Sequence, residues 1–169
     1  FFGVTDEGGS GGGLPCNDAT KVNGYTCDEN PKGDSFDVNY VAHELGHQWD
    51  LPHTWSGSRG ICTQDQFDPT ASIELGAGKT LETYAGSCDG DNTHRPSSPN
   101  HHGNDPYFNV YSLSGFQKWL QKDTGGKASG CGAYEKKVEN SRPTVTVPAT
   151  CAIPRKTPYI LTGSATDPD

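Results

Sequence analysis

The clearest periodic pattern in the chain is a set of apolar residues three or four positions apart, which places them on one face of a helix. These residues are Val38, Val41, Ala42, Leu45 and Trp49. Ser35 or Asp37 is available as the N-cap, and Pro52 disfavours the helical conformation of the residue before it. The pattern therefore predicts a helix over residues 37–49.

A second amphipathic segment, NVYSLSGFQKWLQK, predicts another helix over residues 109–122, which Gly125 and Gly126 end. Residues 1–34 are rich in Gly, Asn and Asp, and residues 54–105 are irregular in pattern. These compositions predict loops, with at most a strand near the start of the chain.

Near the C terminus, TVTVP and TPYILTGSATDPD combine β-branched and aromatic residues with turn chemistry. The preceding stretch, KASGCGAYEKKVENSRP, has the composition of a linker. We therefore predict a first domain over residues 1–132, a linker over 133–142 and the incomplete start of a β domain over 143–169.

Composition limits the classes of function. The chain has 169 residues, 31% of them hydrophobic, with 22 Gly and 12 Pro, so it supports one loop-rich domain and a short appendage. The formal net charge is -8 and no Lys/Arg cluster interrupts this balance, so a nucleic-acid partner is not expected. No apolar run approaches the roughly 18 residues of a membrane span.

Six cysteines, an even number without a CxxC pair, favour three disulfides over a thiolate metal site. Disulfides indicate an oxidising compartment, so we expect a secreted, extracellular protein. The chain begins at Phe1 and contains no methionine, which indicates a processed or truncated piece of a longer protein.

The stretch HELGH, within the predicted first helix, carries the main candidate chemistry. Positions four apart lie one above the other on a helix, so His43 and His47 present two imidazoles on one face, next to Glu44. Zinc binds neutral imidazole nitrogens, and a catalytic zinc keeps one position open for water. A carboxylate that is not a ligand can take the proton from that water.

A third histidine strengthens this interpretation. His53 follows six residues after His47, where a chain turning back beyond the helix can bring it to the same metal. HExxH occurs by chance in roughly one in a hundred chains of this composition, and chance agreement of all four residues is on the order of a few in ten thousand. The pattern favours a zinc site over a helix that merely carries histidines.

These residues resemble a known family. HELGHQWDLPH resembles the HExxHxxGxxH signature of metzincin zinc endopeptidases, and the closer similarity is to bacterial reprolysin-like (adamalysin-like) secreted proteases. TLETYAGSC (80–88) stands where that family has its Met-turn, and NDPYFNVYSLSGFQKWL (104–120) where it has a DPYFH stretch and a helix. The similarity covers about residues 36–132. TPYILTGSATDPD also looks like the start of the immunoglobulin-like domain that often follows such catalytic domains.

The resemblance implies an α+β fold, a metzincin-like zinc protease catalytic domain that is loop-rich and stapled by disulfides. Its parts are an upper sheet, the active-site helix and an irregular lower subdomain with a C-terminal helix. Only 36 residues precede the predicted active-site helix, so the upper sheet is expected to be partial.

The resemblance also implies the roles of individual residues. It implies zinc bound by His43, His47 and His53, with Glu44 as the general base and Tyr84 near the site after the turn.

It implies a disulfide between Cys62 and Cys88 as well, because both fall on loops around the site. For the other cysteines, proximity in sequence gives the pairs Cys16–Cys27 and Cys131–Cys151, among 15 connectivities that six cysteines allow.

Two positions depart from the family pattern. Asp50 replaces the glycine where the chain leaves the helix, and Asp tolerates the left-handed backbone region better than most residues. Glu82 replaces the methionine of the turn. It accepts a hydrogen bond from a ligand imidazole, or it points away with the turn rearranged, or the recorded residue is wrong. The second and third accounts are favoured, because the family packs an apolar residue there.

Three further features have two readings each. Trp55 either lines the substrate groove or packs in the core. Ca²⁺ binding is a further candidate function of the acidic loops, although solvated loops are the simpler account. The residues concerned are Asp89, Asp91, Asn92, Asn104 and Asp105. A second metal site at His94, His101 and His102 competes with the simpler account of surface histidines.

The leading hypothesis is a secreted, monomeric zinc endopeptidase that acts on protein or peptide substrates. The alternative is a catalytically impaired zinc-bearing module that binds a protein or a glycan. The intact Glu44 favours catalysis, because a purely structural zinc site needs no general base.

Overall fold

The computed structural model describes most of the chain. The described residues are 8–91, 104–120, 141–149 and 152–168. The chain divides into two compact units, Phe1–Cys131 and Gly132–Asp169. Within the described residues, no helix has both the length and the apolar character that crossing a membrane requires.

The first long helix of the first unit is continuous but changes its hydrogen-bond pattern along its length. It consists of α1 (Asp34–Phe36), a π-helical segment (Asp37–Ala42) and α2 (His43–Gln48). Gly33 is the N-cap, with φ 73° and no side-chain cap, so the predicted caps Ser35 and Asp37 are wrong. The helix begins three residues before the predicted position. The carbonyl of Gly33 accepts hydrogen bonds from the N–H groups of Phe36 and Asp37, and Phe36 adds a buried apolar residue to the first turn.

Asp50 ends the helix in the left-handed conformation, with φ 67°. The N–H of Leu51 donates to the carbonyl of Gly46 at 3.1 Å, and the N–H of Asp50 donates to that of His47 at 2.9 Å. These two bonds satisfy carbonyls that the helix end leaves open. The expectation that Asp50 can replace a glycine at this turn is confirmed.

The second predicted helix is present as α3 (Val110–Leu120), and residues 121 and 122 lie outside the described residues. Asn109 caps it, because its Oδ1 accepts the N–H groups of Tyr111 and Ser112, each at 3.0 Å. Trp119 of α3 is buried against Trp49, with ring centroids 4.6 Å apart. This contact fixes α3 against the end of the long helix.

Two short antiparallel strands, β1 (Gly8–Ser10) and β2 (Tyr25–Cys27), form the described sheet of the first unit. Glycines let the chain after β1 lie directly on α2. A Cβ at Gly9 would lie 2.5 Å from Glu44 Oε1, and one at Gly11 would lie 2.4 Å from the Cβ of His47. The glycine-rich stretch, predicted as loop, therefore forms one wall beside the candidate residues.

The core next to the site is built around Trp55, which packs with Cys62, Ala77 and Cys88. The predicted Cys62–Cys88 disulfide is confirmed.

The predicted Cys16–Cys27 disulfide is wrong. Cys16 is disulfide-bonded, whereas Cys27 is a free thiol. Proximity in sequence failed here because strand pairing places Cys27 opposite Gly8, while Cys16 lies in the loop that connects β1 to β2. The other predicted pair, Cys131–Cys151, lies outside the described residues.

In the second unit, β3 (Thr144–Thr146) pairs antiparallel with β4 (Ser164–Thr166). The first strand lies within TVTVP, and the second lies within the C-terminal part of TPYILTGSATDPD. The immunoglobulin-like assignment stays a prediction.

Candidate metal centre and active site

Three imidazoles meet at one point. The Nε2 atom of His47 lies 3.1 Å from that of His43 and 3.0 Å from that of His53, and the third side of the triangle is 3.3 Å. Two of these residues come from α2, four positions apart, and the third comes from the segment that follows the Asp50 turn. Among the described residues, no other group of three or more His, Cys, Asp or Glu gathers its ligand atoms in this way.

Backbone carbonyls orient all three rings. The Nδ1–H of His43 donates to Leu81 at 2.6 Å, that of His47 to Leu51 at 2.6 Å, and that of His53 to Gln66 at 2.9 Å. A carbonyl can only accept, so each neutral ring carries its proton on Nδ1 and turns an Nε2 lone pair toward the other two.

Three converging lone pairs repel one another unless a cation lies between them. In a tetrahedral zinc site with bonds of about 2.0–2.1 Å, the ligand atoms are about 3.3–3.4 Å apart. The observed triangle of 3.0–3.3 Å is close to this spacing. The donor set and its orientation therefore fit a zinc ion.

The electrostatic environment keeps these rings neutral. Burial, reinforced by the neighbouring His47, lowers the pKa of His43 to about 3 and that of His53 to about 4. Burial also lowers the pKa of His47. Neutral imidazole is the form that binds a metal, so protonation does not compete with the metal at neutral pH.

Glu44 lies on α2 between the first two histidines and faces the same cleft. Burial raises the pKa of its carboxyl to about 7, against a smaller lowering by a hydrogen bond from the backbone of Gly11. Its Oε2 atom is buried and has no hydrogen-bond partner. A carboxyl with a pKa near neutrality and a free oxygen suits a general base.

The cleft beside these residues has a volume of about 860 Å³. Its walls are the glycine-rich residues 9–13, the three histidines, Glu44, residues 65–68 and Tyr84. A second recess of about 430 Å³ shares His43, Glu44 and Tyr84 with it. The candidate residues thus stand between two open volumes rather than in a closed core.

Residues 7–109, more than half of the chain, match the family described as Metallo-peptidase family M12B Reprolysin-like. The chain belongs to this family. No curated protein and no solved structure matches it. Membership supports the classes hydrolase, protease and metalloprotease, and the three-histidine cluster fits the metal that such a protease uses. The metzincin-type fold expected from the sequence follows at the level of the family.

Tyr84 of this reprolysin-like chain lies next to the histidines. Its ring centroid is 4.6 Å from that of His53 and 5.8 Å from that of His43, and its hydroxyl donates to the side chain of Gln66. Burial raises the pKa of the phenol above its usual value, so the hydroxyl stays protonated. Tyr84 can therefore donate a hydrogen bond at the edge of the cleft.

Trp55, which the sequence left between two roles, is fully buried with 0% exposure. Its ring packs against those of Phe67 and Tyr84, with centroids 5.8 and 5.7 Å away. The substrate-groove assignment is wrong, because the indole lies behind Tyr84 in the core rather than at the cleft surface. Trp55 supports the residues that face the cleft.

Glu82 occupies the Met-turn position and is fully buried, with 0% exposure. Its Oε2 atom lies 3.3 Å from Nδ1 of His47, so the account in which it points away from the site is wrong. The hydrogen on that nitrogen goes to Leu51 instead, and neither carboxyl oxygen has a hydrogen-bond partner. Burial, with a further contribution from the charge of Glu44, raises the pKa of Glu82 well above its usual value. Gly46 leaves the space for it, since a Cβ there would lie 1.7 Å from Oε1.

We expect Glu82→Met to stabilise the protein and to leave zinc affinity unchanged or improved. A buried carboxyl without a partner costs about 1–3 kcal/mol, which an apolar side chain of similar length avoids. Thermal unfolding of the metal-free chain and zinc titration measure the two effects. Glu82→Gln keeps the polar group and is the matched control, for which no gain in stability is expected. A loss of tenfold or more in zinc affinity would instead show that Glu82 supports His47.

Other predicted positions do not form a described site. Asp91 lies 3.9 Å from Arg59, and Asp105 pairs with Lys79 at 3.0 Å. Asn104 donates to three carbonyls of the turn, at Thr80, Leu81 and Thr83. Calcium binding stays a prediction. Asp89 is exposed, and the other predicted positions, Asn92, His94, His101 and His102, lie outside the described residues.

Sequence reasoning missed the groups that hold the histidines in place. Three of them are the carbonyls of Leu51, Gln66 and Leu81, which no side-chain pattern could have indicated. Another is Glu74, which lies in an irregular stretch without a motif. Only the contacts across the fold reveal them.

Proposed function

We propose that the protein is a secreted zinc endopeptidase that hydrolyses peptide bonds in protein or peptide substrates. The observation that carries this proposal is the triangle of Nε2 atoms of His43, His47 and His53, next to the partly buried carboxyl of Glu44. Family membership supports the protease class. The disulfide supports an oxidising, extracellular setting.

In this proposal His43, His47 and His53 hold the metal through Nε2, and each ring is fixed by its Nδ1–H bond to a carbonyl. When bound, zinc supplies Lewis-acid polarisation of the peptide carbonyl and lowers the pKa of water. Glu44 takes the proton of the attacking water and passes it to the leaving amine. Tyr84, protonated at its hydroxyl, donates to Gln66 and can donate to the substrate when a substrate carbonyl takes the place of that acceptor at the cleft edge.

The shape of the cleft supports a peptide substrate. Its wall at residues 9–13 contains four glycines and Ser10, so backbone N–H and C=O groups rather than bulky side chains face the open volume. An extended peptide recognises such an edge through main-chain hydrogen bonds, which are independent of its sequence. The proposed substrate class is therefore an unfolded or extended segment of protein.

Metal removal tests the proposal. A zinc chelator should abolish cleavage of an unfolded protein such as casein, and added zinc should restore it. The reason is that the histidines without the metal cannot polarise the peptide carbonyl. A serine-protease inhibitor is the control and should have no effect. If the zinc-loaded chain binds metal but cleaves no unfolded substrate, the alternative of a zinc-bearing module that binds protein or glycan replaces this proposal.

A further inference from the structure

Among the described residues, Glu74 and Asn109 have heavily hydrogen-bonded side chains close to the site, and Glu74 makes no hydrogen bond to the three histidines. The Glu74 carboxylate accepts five hydrogen bonds from three separate segments. The donors are Thr54 Oγ1 at 2.8 Å, Thr80 Oγ1 at 2.7 Å, Asn109 Nδ2 at 2.7 Å, and the backbone N–H groups of Lys79 and Thr80 at 3.1 Å each. An acceptor-only group with this many donors is a strong local constraint on the backbone.

Each of the first two segments leads directly to a histidine. Thr54 follows His53 in the chain, so its position sets where the third imidazole begins. Thr80 precedes Leu81, whose carbonyl accepts the Nδ1–H of His43 at 2.6 Å. The Glu74 carboxylate thus holds Thr54, which follows the candidate ligand His53. It also holds Thr80, which precedes the Leu81 carbonyl that orients His43.

Backbone bonds and a third segment reinforce the connection. The N–H of Glu74 donates to Thr54 at 2.9 Å, and the N–H of Thr54 donates to Glu82 at 2.9 Å. Asn109, the N-cap of α3, donates to Thr54 Oγ1 at 2.9 Å and to Thr80 Oγ1 at 3.1 Å as well as to Glu74. Three segments therefore meet at the Glu74 carboxylate. They are the segment after His53, the Met-turn segment at Thr80 and the start of α3 at Asn109.

We propose that Glu74 is a positioning residue that sets the geometry of the metal site through Thr54 on one side and Thr80 on the other. The inference rests on the proposed function only in taking the three histidines as metal ligands. Groups that orient the ligands typically contribute 10- to 100-fold to metal affinity. Glu74 acts one residue further away than such groups, and it acts on two ligands at once.

The test compares Glu74→Gln with an exposed control, Glu29→Gln. The amide keeps the size of the side chain but replaces one acceptor oxygen with a donor, which would face the donors of the threonines and Asn109. Zinc affinity is measured by competition with a chelator, and ligand geometry is measured from the visible absorption of the Co²⁺-loaded chain. Thermal unfolding without metal reports the structural contribution separately.

Two smaller changes separate the two sides. Thr54→Val removes the hydroxyl on the His53 side, and Thr80→Val removes the hydroxyl on the Leu81 side, while Thr63→Val is the exposed control. Both variants keep the Glu74 carboxylate, so they remain informative if Glu74→Gln does not fold.

Glu74→Gln is expected to weaken zinc binding by about 10-fold or more and to shift the Co²⁺ absorption, and each threonine variant should produce part of both effects. The controls should match the unmodified chain. Variants that unfold at lower temperature yet keep zinc affinity and the Co²⁺ spectrum would show that Glu74 only stabilises the fold, and would overturn the inference. Failure of the peptidase proposal would give a different result, because the unmodified chain would then bind zinc without cleaving any substrate. Zinc affinity and the Co²⁺ spectrum would still decide the role of Glu74.

Discussion

Glu44→Gln is expected to reduce cleavage of an unfolded protein substrate by a factor of about 100 to 10,000, the range that a general base contributes. The amide is close to the carboxylate in size but cannot take a proton from water. Zinc content should be unchanged, because the three Nε2 atoms do not depend on Glu44 for their orientation. Initial cleavage rates and metal analysis of the purified variant measure both quantities.

Glu29→Gln is the matched control for this substitution, since Glu29 is an exposed acid away from the cleft. It should cleave at the rate of the unmodified chain. Residual activity of Glu44→Gln above a tenth of that rate, with full zinc content, would exclude Glu44 as the general base and would direct attention to another group in the cleft.

His53→Ala should weaken zinc binding by about two orders of magnitude and abolish cleavage. Structural zinc sites of four ligands bind with about 10–16 kcal/mol, so one ligand is worth about 3 kcal/mol, or roughly a hundredfold in affinity. Of the three histidines, His53 is the sharpest test, because it alone lies outside the helix and depends on the Asp50 turn. Competition titration with a zinc chelator gives the affinity.

His94→Ala serves as the control, because it removes a histidine that the described cluster does not contain. It should leave zinc affinity within a factor of two or three. An unchanged affinity in His53→Ala would mean that the metal has only two histidine ligands from this chain, and the site drawn here would be wrong.

Helical spacing was the most informative feature of the sequence. Because the period of a helix is fixed, HELGH was enough to predict that His43 and His47 share a face. The third histidine needed a reversal of the chain, and Asp50 indicated that this was feasible. The local rules of backbone geometry therefore carried the prediction of the candidate ligands.

Features that depend on tertiary contacts were harder to predict. Trp55 had the same pattern whether it lined a groove or filled the core, and only the packing of Tyr84 over it decides. The family pattern has an apolar residue at position 82, so the local sequence did not predict that the Glu82 carboxyl lies next to the ring of His47. Cys16 and Cys27 are close in sequence, but strand pairing overrode that proximity.

The Cys62–Cys88 bond also bears on how a protease survives its own activity. Residues 69 and 70 are exposed and lie between the two cysteines, so a cut there would place the three histidines on one fragment and Glu74 and Tyr84 on the other. The disulfide would keep both fragments covalently joined, and the hydrogen bonds between them would hold the site together. Self-cleavage in this loop would produce a nicked chain that separates into two pieces only after reduction and unfolding.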